Sequence, residues 1–155
     1  MAHTVFRSDN CSYTHDGAKI RTVVLNKDID NGCPVTMGAL ATSGTYAGER
    51  EVFTVTDATA VKEVWVVCTP EVDYEENPIT EFYNKAGKIG RAVLMEKADI
   101  FSVSAEALSA VPTAGQGIVA KAGGWTVGTV GSTSFAKCIG SDVQDGVTMY
   151  RFEVL

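Results

Sequence analysis

The 155-residue sequence is poor in the groups that carry chemistry. It has two histidines, His3 and His15, and four cysteines, Cys11, Cys33, Cys68 and Cys138, with no CxxC pair among them. Zinc sites usually bring at least one close ligand pair, so no metal site is expected. The GxxxxGK[ST] loop and the GxSxG elbow are missing, and no GxGxxG opens a helical run. His15-Asp16-Gly17 precedes a β-branched run and reads as a turn rather than as an acid–base pair. The sequence therefore points to no catalytic residue and no cofactor, and to a protein that is not an enzyme.

Positive charge is also scarce, with 13 Lys and Arg against 19 Asp and Glu and a formal net charge of −6. Such a surface repels nucleic acid as a whole and offers no polybasic patch to an anionic membrane. The densest cationic cluster, Lys85, Lys88, Arg91 and Lys97, reads as a solvated loop. Gly87-Lys88-Ile89-Gly90 matches the GxxG loop of RNA-binding KH domains, but that loop works between helices. Here the following residues, RAVLMEKADIFSVS, alternate as strands. No window approaches the roughly 20 apolar residues of a membrane helix. The opening MAHTVFRSDN has no apolar stretch of the length that a secretory signal needs. A soluble chain made and kept in the cytoplasm is expected.

Helical periodicity is the last absence, since no long stretch repeats apolar residues at three and four positions. Strand signals fill its place. KIRTVVL (19–25) is β-branched and follows the turn pair Asp16-Gly17. Asn31-Gly32 marks a second turn before Cys33–Leu40, and EVFTVT (51–56) follows a glycine-bounded loop. VWVVCT (64–69) is apolar without a break, which predicts a strand covered on both faces. Ala92–Met95, Ile100–Ser104, Ile118–Lys121, Trp125–Val130, Ser134–Ile139 and Val147–Val154 complete the set, with Gly140-Ser141-Asp142 and Asp145-Gly146 among the turns. In the last strand Thr148, Tyr150, Phe152 and Val154 are assigned to the core. One-turn helices are expected at 79–83 and 104–108.

The fold expectation is mainly β, a single-domain β-sandwich or β-barrel of short strands with at most one or two short helical turns. One β-rich domain spans 1–155, with 1–10 as a flexible arm. The four thiols are expected to be reduced and mostly buried. Between Glu71 and Glu81 the chain carries five carboxylates without the spacing of a calcium loop, which predicts an exposed acidic excursion. Tyr74, Glu75, Glu76, Phe82 and Tyr83 in and beside it, together with Trp125 at a strand start, are the candidate interaction residues. Packing in the core or at the rim is the competing reading for each aromatic.

Several runs resemble the small capsid decoration, or cement, proteins of tailed bacteriophages. They are DIDNGCPV, GEREVFTVTDAT, VWVVCTPEVDYEE, FYNKAGKIGRAVLMEKADIFSVSAEAL and the closing glycine-punctuated strands, from about Asn26 to Leu155. The resemblance implies a β-rich protein on the outer surface of the virion, partnered with the major capsid protein. It also implies a homotrimer or other homo-oligomer, without nucleic acid or membrane. A clasping role falls to the N-terminal decapeptide and the Glu71–Glu81 excursion, because a strand arm can add to a neighbour's sheet edge through main-chain bonds. A non-catalytic glycan-binding β-sandwich, or another head or tail component, is the alternative.

Overall fold

The unbroken apolar run at 64–67 has a direct structural cause. In the computed structural model, which describes residues 1–58, 63–72 and 77–155, strand β5 (Trp65–Val67) lies between two layers of the protein. Trp65 and Val67 face the interior of a small barrel, whereas Val64 and Val66 face a separate sheet. Strand β6 (Ile89–Leu94) divides in the same way, with Ala92 inward and Val93 outward. Both faces are dry, so alternation disappears from the sequence.

The barrel closes in the order β2-β4-β3-β5-β6, from β2 (Ile20–Val24), β3 (Pro34–Leu40) and β4 (Val52–Asp57) with β5 and β6. Its pairs are antiparallel except β2 with β4, where Thr22, Val23 and Val24 run parallel to Val52, Phe53 and Thr54. Side chains fill it: Val23, Leu25, Ile29, Val35, Val55 and Val67 are buried there. The Arg21 guanidinium stacks over Phe53 and Trp65, 4.7 and 5.7 Å from the ring centroids.

The second layer is a six-stranded antiparallel sheet in the order β1-β7-β11-β10-β8-β9. It comprises β1 (Phe6–Asn10), β7 (Ile100–Ser104), β8 (Gln116–Lys121), β9 (Gly124–Thr129), β10 (Ala136–Gln144) and β11 (Val147–Val154). Phe101, Trp125, Phe135 and Phe152 form its aromatic centre. The Trp125 and Phe135 rings stack at 5.1 Å, and Phe101 lies 5.8 Å from Phe152. Full burial of each such side chain contributes about 1.5–3 kcal/mol. The whole is a single small, nearly all-β domain, as the sequence predicts. Its short 3-10 turns at Ile79–Glu81 and Ala105–Ala107 fall where helical turns are expected. Two more, Ser12–Thr14 and Gly17–Lys19, exceed the expected number.

Three expectations need correction. Phe6–Asn10 of the expected arm is instead strand β1, with Phe6, Arg7 and Ser8 registered on Val103, Ser102 and Phe101, and His3 and Thr4 before it are hydrogen-bonded to Thr80 and Asp30. Gly140-Ser141-Asp142 is no turn, because β10 passes through it with a bulge between Cys138 and Gly140 and continues to Gln144. On β11, Phe152 and Val154 are in the core, but Thr148 is exposed and Met149, from the opposite face, is buried. Met149 lines a small cleft with Val5, Phe6 and Ile79, which shelters that outer face.

Barrel and sheet are joined at residues 28–33. Gly32 adopts the left-handed conformation (φ 81°), and its N–H donates to the Val67 carbonyl at 2.8 Å. Its own carbonyl accepts the indole N–H of Trp125, also at 2.8 Å. A Cβ at position 32 would stand 2.9 Å from Val103 Cγ1 and 3.3 Å from Phe6. Asn31, 2% exposed, donates through Nδ2 to the Thr69 carbonyl at 2.8 Å and accepts from Thr69 N–H at 3.0 Å. Asn84 Nδ2 donates to Asn31 Oδ1 at 3.1 Å and to the Ile29 carbonyl at 3.0 Å.

The joint yields a stability prediction. Trp125→Phe keeps an aromatic side chain but strands a buried carbonyl and leaves a small void where the indole was, so a loss of at least about 1–3 kcal/mol is expected from urea unfolding. Gly32→Ala adds a steric clash to an unfavourable φ, and a larger loss of roughly 2–4 kcal/mol is expected. Midpoints for Trp125→Phe indistinguishable from the parent would show that the bond contributes nothing.

Candidate interaction surface

The site residues named from the sequence part company in the structure. Tyr74, Glu75 and Glu76 lie outside the described residues. Phe82 and Tyr83 are half-buried, following the 3-10 turn at Ile79–Glu81. Trp125, expected as an exposed rim aromatic or a packed one, is packed: it is fully buried, with its indole committed to Gly32. The two glycines before it put Trp125 at the start of β9, but its side chain falls on the core face of that strand. It is therefore not part of a surface in this chain, and an aromatic platform for a sugar ring loses its tryptophan.

Around Tyr83 the structure brings together the two segments nominated as clasping elements. The His3 N–H donates to the Thr80 carbonyl at 2.7 Å, and the His3 ring stacks on Tyr83 at 4.7 Å with 17° between planes. His3 Nδ1 lies 2.7 Å from Asp30 Oδ1, and the Thr4 N–H donates to Asp30 Oδ2 at 2.8 Å. Lys85 Nζ sits 6.0 Å from the Tyr83 ring centroid. Two shallow grooves flank Tyr83. One, of about 470 Å³, is lined by His3, Asp28, Asp30, Cys33 and Gly123. The other, of about 430 Å³, is lined by Val72, Phe82, Lys85, Lys88 and Ile89. The N-terminal segment is thus held against the excursion's exit and not projected from the body.

The outer face of the sheet carries a charge network that sequence reading passed over. Arg7 Nε donates to Asp9 at 2.6 Å, and Arg7 Nη2 lies 3.2 Å from both Asp142 oxygens. Arg7 also donates to Gln144, and the Ser102 hydroxyl to Asp9. Arg151 Nη2 meets Asp142 at 3.2 Å, while its Nε stands 3.5 Å from Asp9. The hydrogen bond to Asp9 is the largest influence holding Arg7 above its usual pKa. Alternation along Arg7-Ser8-Asp9 and the spacing of Arg151 and Asp142 were legible. The fourfold meeting needed the strand order β1-β7-β11-β10. Among the described residues no group of three or more His, Cys, Asp or Glu is placed to hold a metal ion, and no helix is long and apolar enough to cross a membrane.

One sheet edge stands open beside this network. β10 pairs with β11 from Ala136 to Gln144, but with β8 at Ala136 and Lys137 alone. The Gly115 N–H then takes the Cys138 carbonyl at 2.8 Å. Beyond that point no strand among the described residues pairs with β10 on the β8 side. Asp145 and Gly146 both have positive φ, 50° and 80°, as in a type I′ hairpin turn. In such a hairpin Gln144 and Val147 bond each other, so Ser141 and Val143 direct their N–H and C=O groups away from β11. Val143 is 69% exposed and Ile139 40%.

A phage-derived, nearly all-β protein is the class that the fold and the comparisons define. The family model described as YonC prophage protein matches residues 5–126, and the chain belongs to that family. The match spans β1 and the whole barrel and ends inside β9. No curated protein and no solved structure matches the chain.

The thiols are all free, and Cys11, Cys33 and Cys138 are buried. Burial pushes Cys33, at the base of the first groove, up to about 12. Cys11 is likewise raised to about 12 by burial and, after that, by Asp99. Burial also raises Tyr13, whose hydroxyl lies 3.6 Å from Cys68 Sγ. An unfolded thiol ionises near 8.5, so above that pH the unfolded chain has released protons that the folded chain keeps. Fewer bound protons in the unfolded state mean that stability falls as pH rises. Urea midpoints should therefore drop between about pH 8 and about pH 10.5, and Cys33→Ala should flatten the slope. A flat profile in the parent protein would contradict the assignment.

Proposed function

We propose that this protein is a head decoration protein: it binds the outer surface of an assembled phage capsid, braces it, and does so as a homo-oligomer. The observation that carries this reading is the open edge of β10. Exposed sheet edges accept strands from other chains through main-chain hydrogen bonds, and natural edges that stay solitary are blunted by charge, proline or a bulge. The β10 bulge ends at Gly140, and the regular register resumes from there to Gln144. Between Cys138 and Gln144 there is neither lysine nor proline. The one charge, Asp142, is turned to the opposite face and neutralised by Arg7 and Arg151. Membership of a prophage protein family and the resemblance to cement proteins support the same reading.

The anchoring network also suits the role. It ties the β10–β11 hairpin to β1, so the edge is ordered before a partner arrives and little conformational entropy is lost on pairing. The grooves beside Tyr83 offer a second contact, and two weak contacts on one rigid body gain through avidity.

Mixing the purified protein with matching undecorated heads and sedimenting the mixture tests the proposal. Stoichiometric uptake is expected, and none at micromolar concentration would defeat it. Val143→Lys, at an exposed position, should leave stability within about 0.5 kcal/mol of the parent. It should weaken head uptake by about tenfold or more, because a desolvated lysine at a strand joint opposes pairing. Light scattering on the free protein reports whether it self-associates before it meets the head.

A further inference from the structure

We propose that Asn31-Gly32 is a deamidation site gated by the fold: closed while the barrel–sheet joint is intact, reactive once it opens, and lost to refolding after conversion. In deamidation the backbone nitrogen of the following residue attacks the asparagine side-chain carbon. Glycine hinders that approach least. The other asparagines, Asn10, Asn26, Asn77 and Asn84, are followed by Cys, Lys, Pro and Lys. Chemistry intrinsic to the chain therefore singles out position 31, which is also where the structure concentrates its joint. Asparagine is among the residues that limit thermal durability for this reason.

In the folded protein both reacting groups are occupied. The Gly32 nitrogen, which must act as nucleophile, donates its hydrogen to the Val67 carbonyl at 2.8 Å. The Asn31 amide is held through Thr69 N–H and C=O, through Asn84 Nδ2, and by Glu71 Oε1 at 3.3 Å. With 2% of its surface exposed, Asn31 also meets little of the water that the second step consumes. To react, the joint must break these bonds together, which makes the rate proportional to the population of the opened state.

The step balances without any oxidant. The Gly32 nitrogen bonds to Asn31 Cγ and gives up its proton, the Cγ–Nδ2 bond breaks, and ammonia leaves. Water then opens the resulting succinimide at either carbonyl, giving aspartate or isoaspartate. Either product removes the donor that Thr69 C=O requires and sets a carboxylate beside Glu71. Isoaspartate also lengthens the main chain by one carbon ahead of Gly32, displacing the carbonyl that receives the Trp125 indole N–H. The closed joint cannot be rebuilt from such a chain.

The experiment holds the full chain at mildly alkaline pH, in one arm native and in the other unfolded in urea, and follows amide-to-acid conversion by peptide mass mapping. The four other asparagines serve as internal controls. In urea, Asn31 should convert faster than any of them. In the native arm its conversion should be slower by about 100-fold or more, as an opening controlled by most of the global stability requires. After dilution from urea, the fraction that fails to regain native tryptophan fluorescence should equal the fraction converted at Asn31. Equal rates in the two arms would overturn the gating. Full recovery of converted chains would overturn the irreversibility.

Discussion

Where the Trp125 indole N–H meets the Gly32 carbonyl, the barrel and the sheet are locked into one body. The barrel leaves Val64, Val66, Val93 and Met95 on its outside, and the sheet leaves Phe101, Phe135 and Phe152 on one face. Each apolar layer is the other's cover. Burial supplies the energy of that union but not its geometry, since apolar contact is non-directional. Direction comes from four consecutive residues. Asp30 holds the N-terminal segment, Asn31 the exit of β5, Gly32 both β5 and Trp125, and Cys33 the turn before β9, with Sγ 3.4 Å from the Gly123 carbonyl. A left-handed glycine lets the chain reverse there without a Cβ colliding with Val103.

Much of this was legible in the sequence, for local reasons. β-branched runs bounded by glycine turns located ten of the eleven strands, and the unbroken apolar run at 64–67 foretold a strand dry on both faces. β1 escaped notice because FRSDN is polar. Its Arg7 and Asp9 face outward into a charge network whose other members come from β7, β10 and β11, more than ninety residues away in sequence. The bulge in β10 escaped for a related reason, as Gly140-Ser141-Asp142 has turn composition and only the continuous partner β11 makes it a strand. Strand order, including the parallel neighbours β2 and β4, depends on long-range contacts that leave no local trace.

The candidate surface was legible in part. Tyr83 and Phe82 were named from the sequence as candidate interaction residues beside the excursion and are half-buried there, yet the stacking of Tyr83 on His3 joins positions eighty residues apart. Trp125 shows the limit of such reading: glycine neighbours mark the start of a strand but say nothing about which face its first large side chain takes. The open edge of β10 was invisible because openness belongs to a neighbour's length. β8 stops pairing after two residues, and that is a property of β8 and its preceding loop.

The position of β11 between β7 and β10 also sets a timetable for synthesis. Barrel strands β2 to β6 follow one another in the chain, so that layer can close while the ribosome is still at work. The sheet cannot. β1 has to await β7, and β7 gains its other flank only when β11 emerges to bridge it to β10. Until then the apolar outside of a closed barrel, with Val64, Val66 and Val93 on it, lacks its lid, so the nascent chain carries that face uncovered for as long as the ribosome takes to travel from β6 to β11.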